Sequence, residues 1–170
     1  MAAYNAWMND KLYACAAALS DEERKRDMGA FFGSIHGTLN HLYIVDEAWL
    51  QRFAAEPVSM TSTREERYVD FDQLHQARRE LDARITAWAA KASDESTAAP
   101  FRFQSVAYQR EMVFPGWAVV VQMFNHQTHH RGQVTTLLKQ LGQDTGATDF
   151  PFTPGIMQER GVGKRPLLDV

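Results

Sequence analysis

Residues 115–142, PGWAVVVQMFNHQTHHRGQVTTLLKQLG, have the pattern of one long amphipathic helix. Pro115 suits the first position of a helix, where its missing N–H costs nothing, and Gly142 suits the position just past the last turn. Steps of three and four residues place the following side chains on one face: Val119, Met123, His126, His130, Val134, Leu137 and Leu141. Since residues at these spacings share one side of a helix, the stretch predicts a last helix whose core-facing side includes two histidines.

Three segments upstream also have helical spacing. Residues 3–19 are rich in alanine, residues 34–54 have an apolar side, and a third helix is predicted to start at Asp70 and continue to Trp88. Ser20 and Glu23 form a capping-box pattern, which predicts a short helical turn after the first helix.

The segments outside these helices are predicted to be loops, a β-hairpin and an extended C-terminal stretch. The polar residues 56–67 predict a long crossover loop, and residues 93–100 predict a second loop. Apolar and polar side chains alternate within residues 101–114, which predicts a short β-hairpin before the last helix. From residue 143 onward the chain is predicted to be extended and to end in a loose tail. The whole pattern predicts a single all-α domain over residues 1–170, a four-helix bundle whose core can hold a metal ion.

The composition excludes several classes of protein. The 170 residues carry 18 Lys and Arg against 21 Asp and Glu, with no basic run, so we expect no binding to nucleic acid. No leader and no long uncharged segment is visible, and the single cysteine, Cys15, can form no intramolecular disulfide. These features predict a cytoplasmic protein outside the membrane. Cys15, which lies between alanines, is interpreted as a small core residue.

Three of the 6 histidines lie close together in residues 125–133. His126 and His130 are four residues apart, so on a helix both imidazoles point to one place, which is the arrangement that chelates a divalent ion. His129 is a competitor, but it falls on a polar flank and is predicted at the rim. The alternative is that His126 and His130 are hydrogen-bonded core residues that bind no metal.

A complete centre needs a third ligand, because catalytic zinc sites usually have three protein ligands. The second long helix offers His36 and His41, and helical periodicity does not choose between them. His75 is predicted at the surface of the third helix, whose charged side is interpreted as exposed to solvent. The charged residues of that side are Arg78, Arg79, Glu80 and Asp82.

Three stretches in combination resemble the DinB/YfiT-like family of damage-inducible proteins. They are YNAW at residues 4–7, SIHGTLNHL at residues 34–42 followed by Asp46 and Trp49, and NHQTHHRGQ at residues 125–133. The likeness covers nearly the whole chain. It implies a four-helix bundle, commonly a homodimer, with a divalent metal ion such as zinc, nickel or iron bound to three histidines.

The resemblance also selects the ligands and suggests a chemistry. Matched by motif position, the ligands are His41, His126 and His130, so the resemblance favours His41 over His36. Some members of the family transfer low-molecular-weight thiols and some related proteins isomerise thiol adducts. The expected function is therefore that of a metal-dependent transferase or hydrolase acting on a small, thiol-containing molecule.

Two other functions stay open. One is a non-catalytic metal-binding protein for stress or sensing, which would leave little room beside the ion, and the other is a purely structural role for the histidines. No catalytic residue is assigned. Gln127 follows His126 where a zinc protease of the HExxH type has glutamate, so protease chemistry is not expected.

The other side chains of the motifs are interpreted as structural. Asp46 is predicted to bond to the first helix rather than to orient a ligand histidine. Gly132 is predicted where another helix approaches closely, and Arg131 is predicted to be exposed. The tryptophans predicted in the core are Trp7, Trp49 and Trp117.

Overall fold

The computed structural model describes residues 1–156, so the predicted tail at residues 157–170 lies outside the described part. The helices and strands follow one another in this order: α1 (Ala2–Ala17), α2 (Asp21–Lys25), α3 (Ile35–Phe53), α4 (Phe71–Ala89), α5 (Asp94–Ala98), β1 (Pro100–Ser105), β2 (Arg110–Pro115) and α6 (Gly116–Gln140). A single 3-10 turn follows at Phe150–Phe152. The predicted all-α bundle with a β-hairpin before its last helix is confirmed.

The four long helices form a closed bundle. Helix α1 packs against α4 and α6, and α3 packs against the same two helices, so each long helix has two neighbours. Each contributes apolar side chains that are buried almost completely, for example Leu12 from α1, Leu39 from α3, Leu74 from α4 and Met123 from α6. The core therefore lies between all four helices, where removal of apolar surface from water stabilises the fold.

Polar side chains start the helices where the sequence predicts. Ser34 accepts a hydrogen bond from the backbone N–H of Gly37, and the Asp70 side chain accepts one from Gln73. These caps satisfy N–H groups that have no partner within the helix. Ser20 and Glu23 form the predicted capping box.

The start of α6 differs by one residue from the prediction. Pro115 is the cap and Gly116 the first helical residue. A Cβ on Gly116 would lie 2.7 Å from the carbonyl oxygen of Thr97 and 2.8 Å from that of Ala99, so only glycine fits here. The close approach comes from α5, which forms in a segment predicted to be a loop.

The hairpin covers one side of the bundle. Its strands are antiparallel, with Phe103 opposite Met112. The ring of Phe103 packs edge-on against Trp49, with 5.2 Å between the centroids, and Phe101 packs against Phe53 at 5.3 Å. The hairpin is thereby fixed to α3, although in sequence it joins directly to α6.

A buried ionic network joins the helices. The guanidinium of Arg78 is 1 % exposed and donates to Asp46 of α3 at 3.0 Å and to Asp82 of α4 at 2.8 Å. Asn9 of α1 donates to both Asp82 oxygens at 3.0 Å. Burial raises the pKa of Asp46 to about 6, and the charge of Arg78 acts in the opposite direction. The prediction that Arg78 and Asp82 face solvent is wrong.

Arg131 extends this network to α6. The residue is 2 % exposed, and its guanidinium donates to the side-chain oxygen of Asn5 and lies 5.2 Å from the centre of the Tyr4 ring. Asn5 in turn donates to Asp82 at 3.3 Å. The prediction of an exposed Arg131 is therefore also wrong, because two side chains of α1 provide a hydrogen-bond acceptor and an aromatic face for it.

Within residues 1–156, none of the helices combines the length and apolar character that a membrane span requires.

Replacement of Arg78 by methionine, which is similar in length, should destabilise the protein strongly. It would leave the carboxylates of Asp46 and Asp82 buried without their cation, a change that costs about 3–5 kcal/mol. Urea denaturation followed by circular dichroism would measure the free energy of unfolding. Arg79→Met on the exposed side of the same helix is the control and should change it by less than about 0.5 kcal/mol. Equal stability of the two variants would contradict the importance of the network.

Candidate metal centre

Three imidazoles converge between α3 and α6. The ring centroids of His41 and His126 lie 5.0 Å apart, those of His41 and His130 4.6 Å, and those of His126 and His130 4.4 Å. One nitrogen from each ring lies within 4.8 Å of the other two. No carboxylate or thiol belongs to this group among the residues described. The sequence-predicted residues therefore form one cluster that could hold a metal ion through nitrogen alone.

The competing histidines lie elsewhere. His36 is buried, but its Nε2 lies 2.8 Å from the carbonyl oxygen of Tyr68 and 3.2 Å from a carboxylate oxygen of Glu66. His129 is exposed, as predicted from its polar flank. His75 is half-buried and stacks on Tyr13 with 5.0 Å between the ring centroids, so it is not a free surface residue.

The packing of α3 on α6 brings the ligands together. His126 and His130 lie one turn apart on α6, and His41 faces them from the first half of α3. Gln127 is buried between the two helices and donates from its side-chain amide to the carbonyl oxygen of Leu42 at 3.2 Å. This bond joins the residue after His126 to the residue after His41, so it fixes the register of the two helices at the cluster.

Two of the imidazoles are oriented by acceptors on their outer side. The Nδ1–H of His41 donates to the carbonyl oxygen of Thr63 at 2.8 Å, and that of His130 donates to the side-chain oxygen of Gln133 at 2.7 Å. With the proton on Nδ1, each ring has its lone pair on Nε2, and in His41 that nitrogen lies toward His126. This is the usual arrangement of metal-binding histidines, whose second nitrogen donates to a carbonyl or carboxylate.

The separation of the nitrogens fits a shared cation. Nε2 of His41 and Nε2 of His126 lie 3.1 Å apart. Two nitrogens that each bind one ion at about 2.0–2.1 Å, at angles of about 90–110°, would be separated by roughly 2.9–3.4 Å. The spacing of this pair therefore agrees with what a divalent ion requires, and the His130 nitrogen lies within 4.8 Å of both.

Burial keeps the imidazoles neutral. Desolvation lowers the pKa of His41 to about 4 and that of His126 to about 3. Desolvation also lowers the pKa of His130, although the bond to Gln133 acts in the opposite direction. Only a neutral imidazole can bind a cation, so near pH 7 no proton has to be removed first.

Phe32 closes one side of the cluster. Its ring stacks on His41 with 3.8 Å between centroids and meets His130 edge-on at 5.3 Å. Arg64 holds the loop that carries Phe32, since it donates to the carbonyl oxygen of Phe31 at 3.0 Å and lies over both phenylalanine rings. Sequence reasoning missed Phe32 and Thr63, because both lie in loops without a periodic pattern.

A cavity of about 480 Å³ borders the other side of the cluster. His41 and His126 form part of its wall, and the rest comes from α3, α6, the hairpin and the crossover loop. Most of the wall is apolar, with contributions from Val45, Trp49, Met60, Phe103, Met112 and Val119. A small organic molecule in this cavity would therefore lie next to two of the three ligand histidines.

Several other predictions are corrected by the structure. Asp46 bonds to Arg78 and to none of the three histidines, so its role is structural as favoured, but with a partner on α4 instead of α1. Gly132 is exposed, and a Cβ there would meet nothing within 4 Å, so the predicted close approach is wrong. Trp117 is 59 % exposed and does not belong to the core. Trp49 is buried as predicted, whereas Trp7 and Cys15 are half-buried.

Three comparisons with known proteins all point to DinB proteins. The model of the DinB family matches residues 1–161. Protein DinB of Bacillus subtilis is 22% identical over 153 residues, which are 86% of this chain and 87% of that protein. The crystal structure of a DinB-like protein from Bacillus cereus superposes with a TM-score of 0.60 at 18% identity and covers 82% of this chain and 89% of that chain. At that identity the structural likeness supports the fold alone.

Replacement of Gln133 by alanine should weaken binding of a divalent cation without unfolding the protein. His130 would lose the acceptor that holds its Nδ1–H, and the loss of such an outer partner typically reduces metal affinity about 10- to 100-fold. Competition with a chromogenic zinc chelator would measure the dissociation constant. Gln140→Ala, near the exposed end of the same helix, is the matched control and should leave it unchanged. Equal affinities of the two variants would show that Gln133 does not orient the ligand.

Proposed function

The chain belongs to the DinB family, and from this premise we propose that it is a metal-dependent transferase that activates a small thiol. In this proposal His41, His126 and His130 bind one divalent ion. The observation that carries it is the cavity beside His41 and His126, since a protein that only stores or senses metal needs no such space. Zinc, nickel and iron all suit a set of imidazole ligands.

Each side chain of the centre has a defined task in this proposal. A bound divalent ion supplies Lewis acidity, which lowers the pKa of a thiol or water next to it. Thr63 and Gln133 hold two ligand rings in orientation, and Phe32 keeps water from one side. The apolar wall of the cavity binds the body of the substrate and excludes water from it.

The wall of the cavity favours a thiol over water as the nucleophile. The described residues that line it include no aspartate or glutamate, so no carboxylate base is at hand to take a proton from water. A thiol has a pKa of about 8.5 and needs only a small shift to ionise near neutral pH, whereas water starts at about 15.7. This is why we favour thiol transfer over hydrolysis.

A purely structural role for the histidines has less support. Polar groups of the core normally have hydrogen-bond partners. Here Nδ1 of His126 is buried without a partner among the described residues, so hydrogen bonds within the protein do not satisfy every nitrogen of the cluster. A shared ion would bind Nε2 of His41 and Nε2 of His126, which lie 3.1 Å apart.

Protein purified without a polyhistidine tag should contain close to one divalent metal ion per chain, measured by elemental analysis. His130→Ala should lose that metal because only two ligands remain, and circular dichroism should show an unchanged fold. His129→Ala, one residue away but outside the cluster, should keep the metal. Absence of stoichiometric metal from the parent protein, even after incubation with zinc, nickel or iron, would contradict the proposal.

Thiol-transfer activity should depend on the bound metal ion. Glutathione, cysteine and coenzyme A would each be offered with an aromatic electrophile, and thiol consumption would be followed by colorimetry. We expect kcat/KM to fall by more than about 100-fold in His130→Ala, above the range for loss of an outer partner, and to be retained in His129→Ala. Equal activity in the two variants, or activity that survives removal of the metal, would argue against metal-dependent catalysis.

A further inference from the structure

Arg52 lies in the wall of the cavity, and no carboxylate within residues 1–156 forms an ion pair with it. It is half-buried near the end of α3, and its guanidinium lies 4.9 Å from the centre of the Trp49 ring and 4.8 Å from that of Phe103. Its Nε is buried and has no hydrogen-bond partner among the described residues. The guanidinium therefore lies over two aromatic rings, and rings accept no conventional hydrogen bond, so its N–H groups stay available to an acceptor.

The other buried or half-buried arginines within residues 1–156 all have acceptors. Arg24 donates to the carbonyl oxygen of Ala16, Arg67 to Glu47, Arg78 to Asp46, and Arg131 to Asn5. Arg52 thus differs from every arginine in a comparable environment. Burial alone lowers its pKa, since no carboxylate acts in the opposite direction. An arginine stays protonated even so, and a half-buried guanidinium without an acceptor favours the binding of an anion.

Arg52 lies on the same side of α3 as the metal ligand. His41, Val45, Trp49 and Arg52 follow one another in steps of four, four and three, and all four line the cavity. Eleven residue steps along the helix place the Cα atoms of His41 and Arg52 about 16 Å apart. A single small anion could not reach from one to the other, but an extended organic molecule could.

We propose that Arg52 is an anion-binding subsite, and that the cavity takes a molecule with an apolar body and a carboxylate, sulfonate or phosphate group. The guanidinium binds the oxyanion through its N–H groups, and the side chains of Phe103, Met112 and Val119 bind the body. Because the opposite end of the cavity borders His41 and His126, this molecule is the substrate of the proposed transferase, and to that extent the inference rests on the proposed function. An oxyanion would give Arg52 the partner that it lacks.

Two fluorescent dyes test the subsite without any metal. Anilinonaphthalene sulfonate and N-phenylnaphthylamine have the same two ring systems, but only the first has an anionic group. Titration of metal-free protein with each dye gives two dissociation constants. In Arg52→Gln we expect the constant for the sulfonate dye to rise at least about 10-fold, since a hydrogen bond to a charged group is lost. The constant for the uncharged dye should change less than about threefold, because the apolar wall remains.

Three further variants make the result specific. Arg52→Lys keeps the charge and should recover part of the affinity for the sulfonate dye. Arg102→Gln removes an arginine that is 64 % exposed on the hairpin, and it should leave both constants unchanged. Ala118→Phe places a larger side chain in the cavity and should raise the dissociation constants of both dyes. That result would show that both dyes bind in the cavity.

Several results would overturn the proposal. One is an unchanged dissociation constant for the sulfonate dye in Arg52→Gln. Another is an equal rise of the dissociation constants of both dyes, which would indicate that Arg52 has an apolar role or that the variant has lost folded protein. Dye binding that is insensitive to Ala118→Phe would place the dyes outside the cavity. Because no metal is used, a failure here removes the subsite and leaves the metal centre standing. Conversely, a protein that takes up no divalent metal in the elemental analysis but still distinguishes the dyes would keep the subsite and lose the proposed function.

Discussion

Arg78 determines how the bundle is assembled, because its charge is buried where the helices meet. It pairs with Asp46 of α3 and Asp82 of α4, and Asn5 and Asn9 of α1 extend the network from Asp82. Apolar packing alone would tolerate small rotations and shifts of one helix against another. A buried cation bonded to two carboxylates, with two amides around them, tolerates few such rotations or shifts. Each of them would leave a charged group without its hydrogen-bond partner. Arg131 connects α6 to this network through Asn5, and Gln127 bonds α6 directly to α3. Together these bonds fix the register that brings His41 opposite His126 and His130.

The periodic parts of the fold could be predicted from the sequence, and the charged parts of the core could not. Spacing alone places His126 and His130 inward and His129 at the rim. It also makes position 78 a core position, because steps of four, three and four connect residues 74, 78, 81 and 85. The charge of Arg78 conceals this pattern. Its partners lie on other helices, and no local pattern reveals that they meet.

The third ligand shows a different limit of sequence reasoning. His36 and His41 are both buried, since α3 is surrounded by other elements on most sides. One ring faces Tyr68 and Glu66, and the other faces α6. A helical wheel reports whether a position is buried but not which neighbour it meets, so only the family motif could select His41. The loops supply Thr63 and Phe32 to the same centre, and they have no periodicity from which this could be read.

The hairpin and the long helices have separate roles in this protein. The histidines, their outer partners and the ionic network belong mainly to the long helices, whereas β1, β2 and their turn form one wall of the cavity. A two-stranded ribbon can change its side chains, and even the length of its turn, without moving the helices behind it. Descendants of one ancestral bundle could thus inherit the same reactive centre while each evolved its own preference among small molecules.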